Sequence, residues 1–275
     1  MTYQKVYEEG VQQLVQADIM EAKLDARLLL EHICGTSRND LLAHGDREVT
    51  NQEYDRYVDY IKRRASHVPL QHLTGVQEFM GLSFEVNEHV LIPRQDTEIL
   101  VEVAMKHLHD GMRILDVCTG SGCILLSLLR YSNDCAGVGV DISENALAVA
   151  CRNRDALGLR AEFLQSDLFA RVEEKFEIIV SNPPYIRTDV IDTLMPEVKE
   201  HEPYIALDGK EDGLFFYRKI IESAGEHLYR GGRIFLEIGY DQGQQVSDLL
   251  AEAGYKEIEV VKDYAGLDRV VHALF

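Results

Sequence analysis

The chain has 275 residues, 46% of them hydrophobic, which is enough for one large core or two unequal domains. No run of 18 apolar residues occurs and no apolar stretch follows the first residues, so we expect neither a membrane partner nor export, but a cytoplasmic protein. The five cysteines are odd in number and scattered, and the ten histidines show no ligand spacing, which favours free thiols and no metal site.

The formal net charge is −19 and is unevenly distributed. Residues 1–75 carry nine basic and twelve acidic side chains, a balance of −3, so −16 falls on the remainder. Enzymes that act on DNA or RNA gain affinity from Lys and Arg on phosphates, and a strongly acidic surface opposes this. The charge therefore favours a protein substrate and no direct nucleic-acid partner, although acidity also maintains solubility.

Residues 1–75 predict a separate helical bundle. Asp18 can cap a first helix, and Thr50 with Glu53 has the spacing of a capping box ahead of a second one. The basic triplet at residues 62–64 ends that second helix, where cations interact favourably with the helix dipole. We interpret the triplet as a capping charge cluster rather than a nucleic-acid patch.

A β-hairpin is predicted between the bundle and the rest of the chain. Apolar and polar residues alternate on both sides of a turn at Asn87-Glu88. We therefore place a hairpin linker at residues 76–93 and a second domain at residues 94–275. Either residue 96 or residue 97 can cap the helix that follows.

A short β run, a glycine-containing turn and an apolar helix come next, with Asp116 near the end of the strand. Gly120 and Gly122 would let the backbone approach a ligand closely. The following strand ends on Asp141, where a carboxylate can accept hydrogen bonds from both hydroxyls of a ribose. A third strand ends just before Asp167. Three consecutive strand ends thus carry polar or loop residues at the edge where open α/β sheets bind ligands.

The glycine loop lacks both the Gly-x-x-x-x-Gly-Lys-Ser/Thr pattern and a regular Gly-x-Gly-x-x-Gly. It therefore suits an adenosine ligand without a pyrophosphate, and S-adenosylmethionine fits that description.

The tetrapeptide Asn182-Pro183-Pro184-Tyr185 follows an apolar strand over residues 176–181. The prolines supply no N–H and fix φ, so the Pro183 carbonyl would be directed into open space as an acceptor. With the Asn182 side chain it could accept both hydrogens of an exocyclic or amide NH2, while the Tyr185 ring lies against the planar group. Taken alone, the tetrapeptide is equally consistent with a turn that merely ends a strand.

Residues 187–212 show no clear periodicity, which favours a loop that covers the substrate over plain surface. The remaining pattern predicts a helix over 214–228, a strand over 233–238 after a Gly-Gly pair, and a helix over 244–253, before two closing β runs. The alternation of strands and helices predicts an α/β doubly wound sheet whose last strand is antiparallel.

These motifs resemble the class I S-adenosylmethionine-dependent methyltransferases. More closely, the chain resembles the release-factor glutamine N5-methyltransferases, the HemK/PrmC group. The resemblance lies in ordered blocks at residues 69–75, 91–98, 181–186, 202–203, 206–209, 212–214 and 268–271. It departs from the usual pattern at His72, Gln95, Cys118 and Lys210; a glycine is expected in place of Cys118.

The resemblance implies a seven-stranded, mainly parallel sheet, with the N-terminal bundle recognising a protein substrate. It implies methyl transfer from S-adenosylmethionine to the glutamine side-chain amide in the Gly-Gly-Gln loop of peptide chain release factors. The catalytic residues would be Asn182, Pro183 and Tyr185, and Pro184 would join them in contacting the substrate. The cofactor would be bound by Asp116, Cys118, Thr119, Gly120, Ser121, Gly122, Asp141, Ile142, Asp167, Leu168 and Asn182.

Three other functions stay open from the sequence. An adenine N6-methyltransferase would use the same tetrapeptide, although the acidic charge opposes it. A methyltransferase-like binding module without catalysis is disfavoured by the presence of Asp116, Asp141 and Asn182. A nicotinamide-dependent oxidoreductase is the weakest of the three.

Overall fold

The computed structural model describes residues 1–275. The helices are α1 (Tyr3–Gln16), α2 (Ala22–Cys34), α3 (Arg38–Ala43), α4 (Asn51–Ala65), α5 (Leu70–Thr74), α6 (Glu98–Met105), α7 (Cys123–Tyr131), α8 (Glu144–Leu157), α9 (Thr188–Ile191), α10 (Pro196–Lys199), α11 (Phe215–His227) and α12 (Gly243–Glu252). The strands are β1 (Val76–Phe79), β2 (Leu82–Glu85), β3 (Arg113–Val117), β4 (Ala136–Asp141), β5 (Glu162–Gln165), β6 (Phe176–Ser181), β7 (Leu228–Glu237), β8 (Lys256–Lys262) and β9 (Asp268–Leu274).

The chain forms two compact units. The smaller one contains Met1–Val76 together with Met195–His201, and the larger one contains Gln77–Leu194 and Glu202–Phe275. None of the helices is both long enough and apolar enough to cross a lipid bilayer.

The smaller unit is helical, as predicted, with a core that includes Tyr3, Leu30 and Tyr57. The predicted capping box of α4 is confirmed: Thr50 Oγ1 accepts from the Glu53 backbone N–H at 3.2 Å, and the Glu53 carboxylate accepts from the Thr50 N–H at 2.8 Å.

The predicted cap of α2 is wrong. The N-cap position is Glu21, because Asp18 adopts a left-handed φ of 55° and the chain turns once more before the helix begins. The basic triplet at the end of α4 also differs from expectation. Arg64 is buried and pairs with Asp25 and with Glu197 of α10, so it is not a solvent-exposed capping charge.

The larger unit contains a seven-stranded sheet in the order β5-β4-β3-β6-β7-β9-β8. Strands β3 to β7 pair in parallel, whereas β9 is antiparallel to both β7 and β8, which confirms the predicted fold class. Successive residues of a strand point to opposite faces. Leu115 accordingly packs in one core with α11 and α12, and Ile114 packs in the other with α6 and α7.

The hairpin preceding this sheet has its turn at Met80-Gly81. The chain also turns at Asn87-Glu88, as predicted, with the Val90 N–H donating to the Asn87 carbonyl at 3.2 Å, but no strand follows, so this is not the turn of the hairpin. Met80 and Gly81 have φ of 51° and 69°, the positive values that a tight two-residue hairpin turn requires. Val86 and Val90, read from the sequence as strand positions, instead pack against α8.

Residues 187–212 are less irregular than the sequence suggests. They include α9, α10 and a 3-10 turn at Tyr204–Ala206. Each of these helices is too short to show a periodic apolar face, so the pattern could not reveal them.

Candidate active site

The carboxyl ends of neighbouring parallel strands carry the predicted site residues. Strand β3 leads into residues 118–122, β4 ends on Asp141, β5 leads into residues 166–168, and β6 leads into Asn182. Because these strands are adjacent in the sheet, their loops meet at one edge. They line a single cavity, and all of its lining residues belong to the larger unit.

Most of the predicted cofactor residues line this cavity. They are Cys118, Thr119, Gly120, Ser121, Asp141, Ile142, Asp167, Leu168 and Asn182. Asp116 and Gly122 lie outside its lining, Asp116 at the end of β3 and Gly122 at the start of α7.

Asp116 fixes the loop that follows β3 through a buried hydrogen bond. Its side chain is fully buried, and its Oδ2 accepts a hydrogen bond from Thr119 Oγ1 at 2.6 Å. Its Oδ1 is buried without a hydrogen-bond partner. Burial raises the pKa of Asp116 to about 7. The Asp116 carboxyl therefore fixes Thr119 of the loop through Oδ2, and its Oδ1 remains able to accept a hydrogen bond.

Asp141 is held by backbone N–H groups. Its Oδ2 accepts from Gly120 at 2.9 Å, and its Oδ1 accepts from Ser143 at 2.9 Å. Burial raises its pKa, and these backbone hydrogen bonds act in the opposite direction. Each carboxylate oxygen has a further lone pair, so the two oxygens can still accept from a pair of neighbouring hydroxyls.

The loop backbone bends through left-handed conformations at three positions. Gly120 and Gly122 have φ of 55° and 79°, and Cys118 has φ of 62°. A side chain at such a φ is strained, which is why a glycine would be expected at position 118. Cys118 therefore preserves the course of the loop at an energetic cost.

The Asn182 amide is oriented by a neighbouring hydroxyl. Its Nδ2 donates to Thr97 Oγ1 at 3.5 Å, so the oxygen branch of the amide points the other way. Ser181 Oγ donates to the Val117 carbonyl at 2.6 Å and ties the end of β6 to the end of β3. The geometry thus presents an acceptor, not a donor, on the far side of Asn182.

The other residues of the tetrapeptide have different surroundings. Pro184 lines the same cavity as Asn182, whereas Pro183 does not. Tyr185 lines a second cavity, and its hydroxyl donates to Glu237 Oε1 at 3.4 Å. Its carbonyl accepts from Gln242 Nε2 at 3.1 Å. Packing of the Tyr185 ring against a substrate amide stays a prediction.

Several polar residues of this region were not predicted as site residues, although two of them, Arg94 and Glu202, lie in the blocks that carry the family resemblance. Arg94 lines the cavity and donates to Glu202 Oε2 at 2.5 Å, while Glu202 Oε1 accepts from the Ile92 N–H at 3.3 Å. Glu237 is the buried last residue of β7. A carboxylate that ends an apolar strand, like Asp141, is the pattern that could have indicated Glu237.

Comparisons with known proteins match both parts of the chain. Residues 5–75 match a family model described as the PrmC N-terminal domain, and residues 94–198 match one described as the methyltransferase small domain. A release factor glutamine methyltransferase of Agrobacterium fabrum is 41% identical over 266 residues, which cover 94% of this chain and 92% of the relative. One of Clostridium acetobutylicum is 44% identical over 257 residues, with coverages of 91% and 90%.

A solved methyltransferase structure from Pyrococcus furiosus shares the fold. The TM-score is 0.53 and the identity 18%, and the match covers 82% of this chain and 98% of that chain.

Proposed function

The chain belongs to the release factor glutamine methyltransferase family, and we propose that it methylates the side-chain amide nitrogen of glutamine in the Gly-Gly-Gln loop of peptide chain release factors. The methyl donor is S-adenosylmethionine. The observation that carries the proposal is the common cavity of Asp141 and Asn182, which brings a candidate ribose acceptor and a candidate amide acceptor together.

The cavity suits this donor chemically. S-adenosylmethionine supplies an electrophilic methyl group on a positively charged sulfur. Asp141 and Asp167 contribute two carboxylates to the lining, and the unpartnered oxygen of Asp116 lies at the neighbouring strand end. Asp141 would accept from the ribose hydroxyls, and the backbone of residues 118–121 would pass close to the ligand.

The tetrapeptide would position the acceptor nitrogen. An amide nitrogen is a poor nucleophile because its lone pair is delocalised. Asn182 Oδ1 and the Pro183 carbonyl would each accept one amide hydrogen, hold the nitrogen in line with the methyl group and favour its pyramidal form. Transfer would break the S–CH3 bond and form the N–CH3 bond, leaving S-adenosylhomocysteine. The amide nitrogen becomes acidic only after transfer and would release its proton to water, so we assign no His or Glu as general base.

A protein substrate agrees with the distribution of charge. The part of the chain that carries the cavity is the strongly acidic part, which opposes binding to phosphates. We propose that residues 1–75 help to recognise the release factor, that residues 94–275 perform the transfer, and that the enzyme acts in the cytoplasm.

The decisive experiment is mass spectrometry of purified release factors after incubation with enzyme and S-adenosylmethionine. We expect one added methyl group on the Gly-Gly-Gln glutamine, and intact release factor should react much faster than a short peptide with the same loop, because remote contacts help to orient the amide. Asn182→Ala should lower the rate by roughly 10²- to 10³-fold while the enzyme still binds S-adenosylmethionine.

A release factor whose acceptor Gln is changed to Asn is the matched control. Its amide is one methylene shorter and should barely react, because two fixed acceptors cannot follow it. Equal rates for the Gln and Asn forms, or methylation of duplex DNA instead, would overturn the proposal and restore the adenine alternative.

A further inference from the structure

Glu237 lies beside the tetrapeptide but has no part in the function described so far. Strands β6 and β7 are parallel neighbours in which Ser181 is paired with Leu236. The next residue along each strand is therefore Asn182 on one side and Glu237 on the other. Thr97, in the turn before α6, completes the group, and both Thr97 and Glu237 are 2% exposed.

One hydrogen bond joins Asn182 to Thr97, and Thr97 also acts on the Glu237 carboxyl. Asn182 Nδ2 donates to Thr97 Oγ1 at 3.5 Å. Since this oxygen accepts from Asn182, the hydroxyl proton of Thr97 is free to point elsewhere. The Thr97 side chain acts to lower the pKa of the Glu237 carboxyl. Glu237 Oε2 is buried and has no hydrogen-bond partner, so the carboxyl can still accept a hydrogen bond from the Thr97 hydroxyl.

We propose that Thr97 and Glu237 are positioning residues for methyl transfer, which fix the Asn182 amide so that its oxygen faces the methyl acceptor. This inference rests on the proposed function of Asn182 as an acceptor for the substrate amide. If the Thr97 hydroxyl donated to Asn182 instead, the Asn182 amide would turn and present its NH2 group. Two NH2 groups are both donors and cannot hydrogen-bond to each other, so the substrate amide would lose an acceptor.

The same carboxyl also contacts the end of the tetrapeptide. Tyr185 Oη donates to Glu237 Oε1 at 3.4 Å. Glu237 would thus act on Asn182 through Thr97 and on Tyr185 directly. One buried group would then orient both ends of the tetrapeptide.

Stability alone does not account for a carboxyl at this position. Glu237 takes part in none of the ion pairs of the chain, and Arg269, whose charge acts on it, pairs with Asp96 and Asp263. A buried carboxyl without an ion-pair partner is less favourable for folding than an apolar side chain of similar size. A role in the site supplies the reason to retain it.

The ionisation of Glu237 is set by several neighbours. Burial raises its pKa to about 7, whereas Thr97, Arg269 and Tyr185 act to lower it and Asp96 acts to raise it. Tyr217 of α11 and Cys123 of α7 also face this charge. In the proposed relay the ionised carboxyl would accept from Thr97, whereas the protonated form carries a proton of its own, so the relay should weaken as the pH falls through the pKa.

Thr97→Val tests the relay, because it keeps the shape of the side chain and removes the hydroxyl. We expect kcat to fall by roughly ten- to a hundredfold, with KM and the Kd for S-adenosylmethionine within about threefold of the parent. Thr97→Ser is the matched control and should restore most of kcat. Adding Thr97→Val to Asn182→Ala should cause little further loss, since both changes remove one function.

Glu237→Gln tests the charge. The parent kcat should decline on the acidic side of neutrality, and this decline should be absent in Glu237→Gln. A Thr97→Val enzyme with kcat within threefold of the parent, losses that multiply with Asn182→Ala, or an unchanged pH profile in Glu237→Gln would each overturn the relay.

A readout independent of activity separates this inference from the proposed function. The NMR resonances of the Asn182 side-chain NH2 should shift with pH in the parent, and Thr97→Val or Glu237→Gln should abolish the shift. If the parent failed to methylate release factors but showed this titration, only the proposed substrate would be wrong. If the resonances did not move with pH, the relay would be wrong whatever the substrate.

Discussion

Asp141 at the end of β4 accepts a hydrogen bond at 2.9 Å from the backbone N–H of Gly120 in the loop after β3. One carboxylate therefore both shapes the glycine loop and faces the cavity that the loop lines. We therefore expect loop geometry and ligand affinity to be coupled at this residue.

Asp141→Ala should weaken S-adenosylmethionine at least tenfold, measured by isothermal titration. Each hydrogen bond to a charged acceptor is worth about 1.5 to 3 kcal/mol, and the carboxylate is proposed to accept from two hydroxyls. Asp248→Ala, an exposed position of α12 away from the cavity, should leave the Kd unchanged. An unaltered Kd in folded Asp141→Ala would remove this residue from the binding site.

The left-handed backbone at Cys118 predicts that this position tolerates glycine better than valine. Cys118→Gly relieves the strain of φ 62° but adds freedom to the unfolded chain, so we expect a change in unfolding free energy within about 1 kcal/mol. Cys118→Val should cost more than about 2 kcal/mol, because a β-branched side chain is least compatible with this φ. Urea denaturation measures both. Cys151→Val, at a helical position of α8, is the control, and a similar cost there would contradict the strain.

The buried ion pair of the helical unit should be strongly coupled. Arg64 Nε donates to Asp25 Oδ2 at 2.8 Å, and both side chains are less than a tenth exposed. Arg64→Met leaves the Asp25 carboxylate buried without its partner and should destabilise folding by about 3 to 5 kcal/mol. Adding Asp25→Leu should recover much of this loss in urea denaturation. Additive losses in the double variant would show that the two side chains act independently.

Glu197 joins the same cluster from α10. Its carboxylate accepts from Arg64 and lies 3.1 Å from His67 Nδ1. Burial acts to raise the pKa of Glu197, but hydrogen bonds from His67 and Arg64 hold it below its ordinary value. Its stabilising contribution should therefore be present near neutral pH and be lost as the pH falls through that lowered pKa. Glu197→Gln should be closest to the parent in unfolding free energy at low pH.

Asp116 should contribute the opposite pH dependence. Burial raises its pKa from 3.8 to about 7, so the native state holds a proton that the unfolded chain has released. Stability from this group is present below pH about 4 and is lost as the pH rises towards 7. Asp116→Asn mimics the neutral carboxyl, so between pH 5 and 8 it should lose less stability than the parent, by an amount on the order of a few kcal/mol. Asp248→Asn should not differ from the parent.

The sheet was predictable because its signals are local. The apolar runs of β3, β4 and β6 and the order of strands and helices follow from periodicity along the chain. The hairpin turn was misplaced because Asn87-Glu88 does form a turn, but one that no strand follows. Met80, at the actual hairpin turn, adopts a positive φ and is held by tertiary contacts, with its carbonyl accepting from Tyr131 at 2.6 Å. Local propensity contains no information on such contacts.

Residues of the cavity were predictable from the sequence where they end or directly follow a strand, as Asp141 and Asn182 do. Thr97 was expected only as a helix cap, yet its side chain makes no capping hydrogen bond and instead accepts from Asn182. The two residues are far apart in sequence, so only the packing of α6 against the sheet brings them together. Arg64 was expected to be a capping charge, and its burial in ion pairs could not be predicted for the same reason, because its partners lie on α2 and α10.

The chain passes between its two units at three points, after Val76, after Leu194 and after His201. The helical unit is therefore not a contiguous cassette that can be cut out at a single junction. A fragment ending at Val76 lacks α10, and with it the carboxylate that Arg64 and His67 share. Residues 195–201 belong to the same unit. Exchanging this unit between relatives would therefore require the matching segment of the recipient to be replaced together with its N-terminal helices.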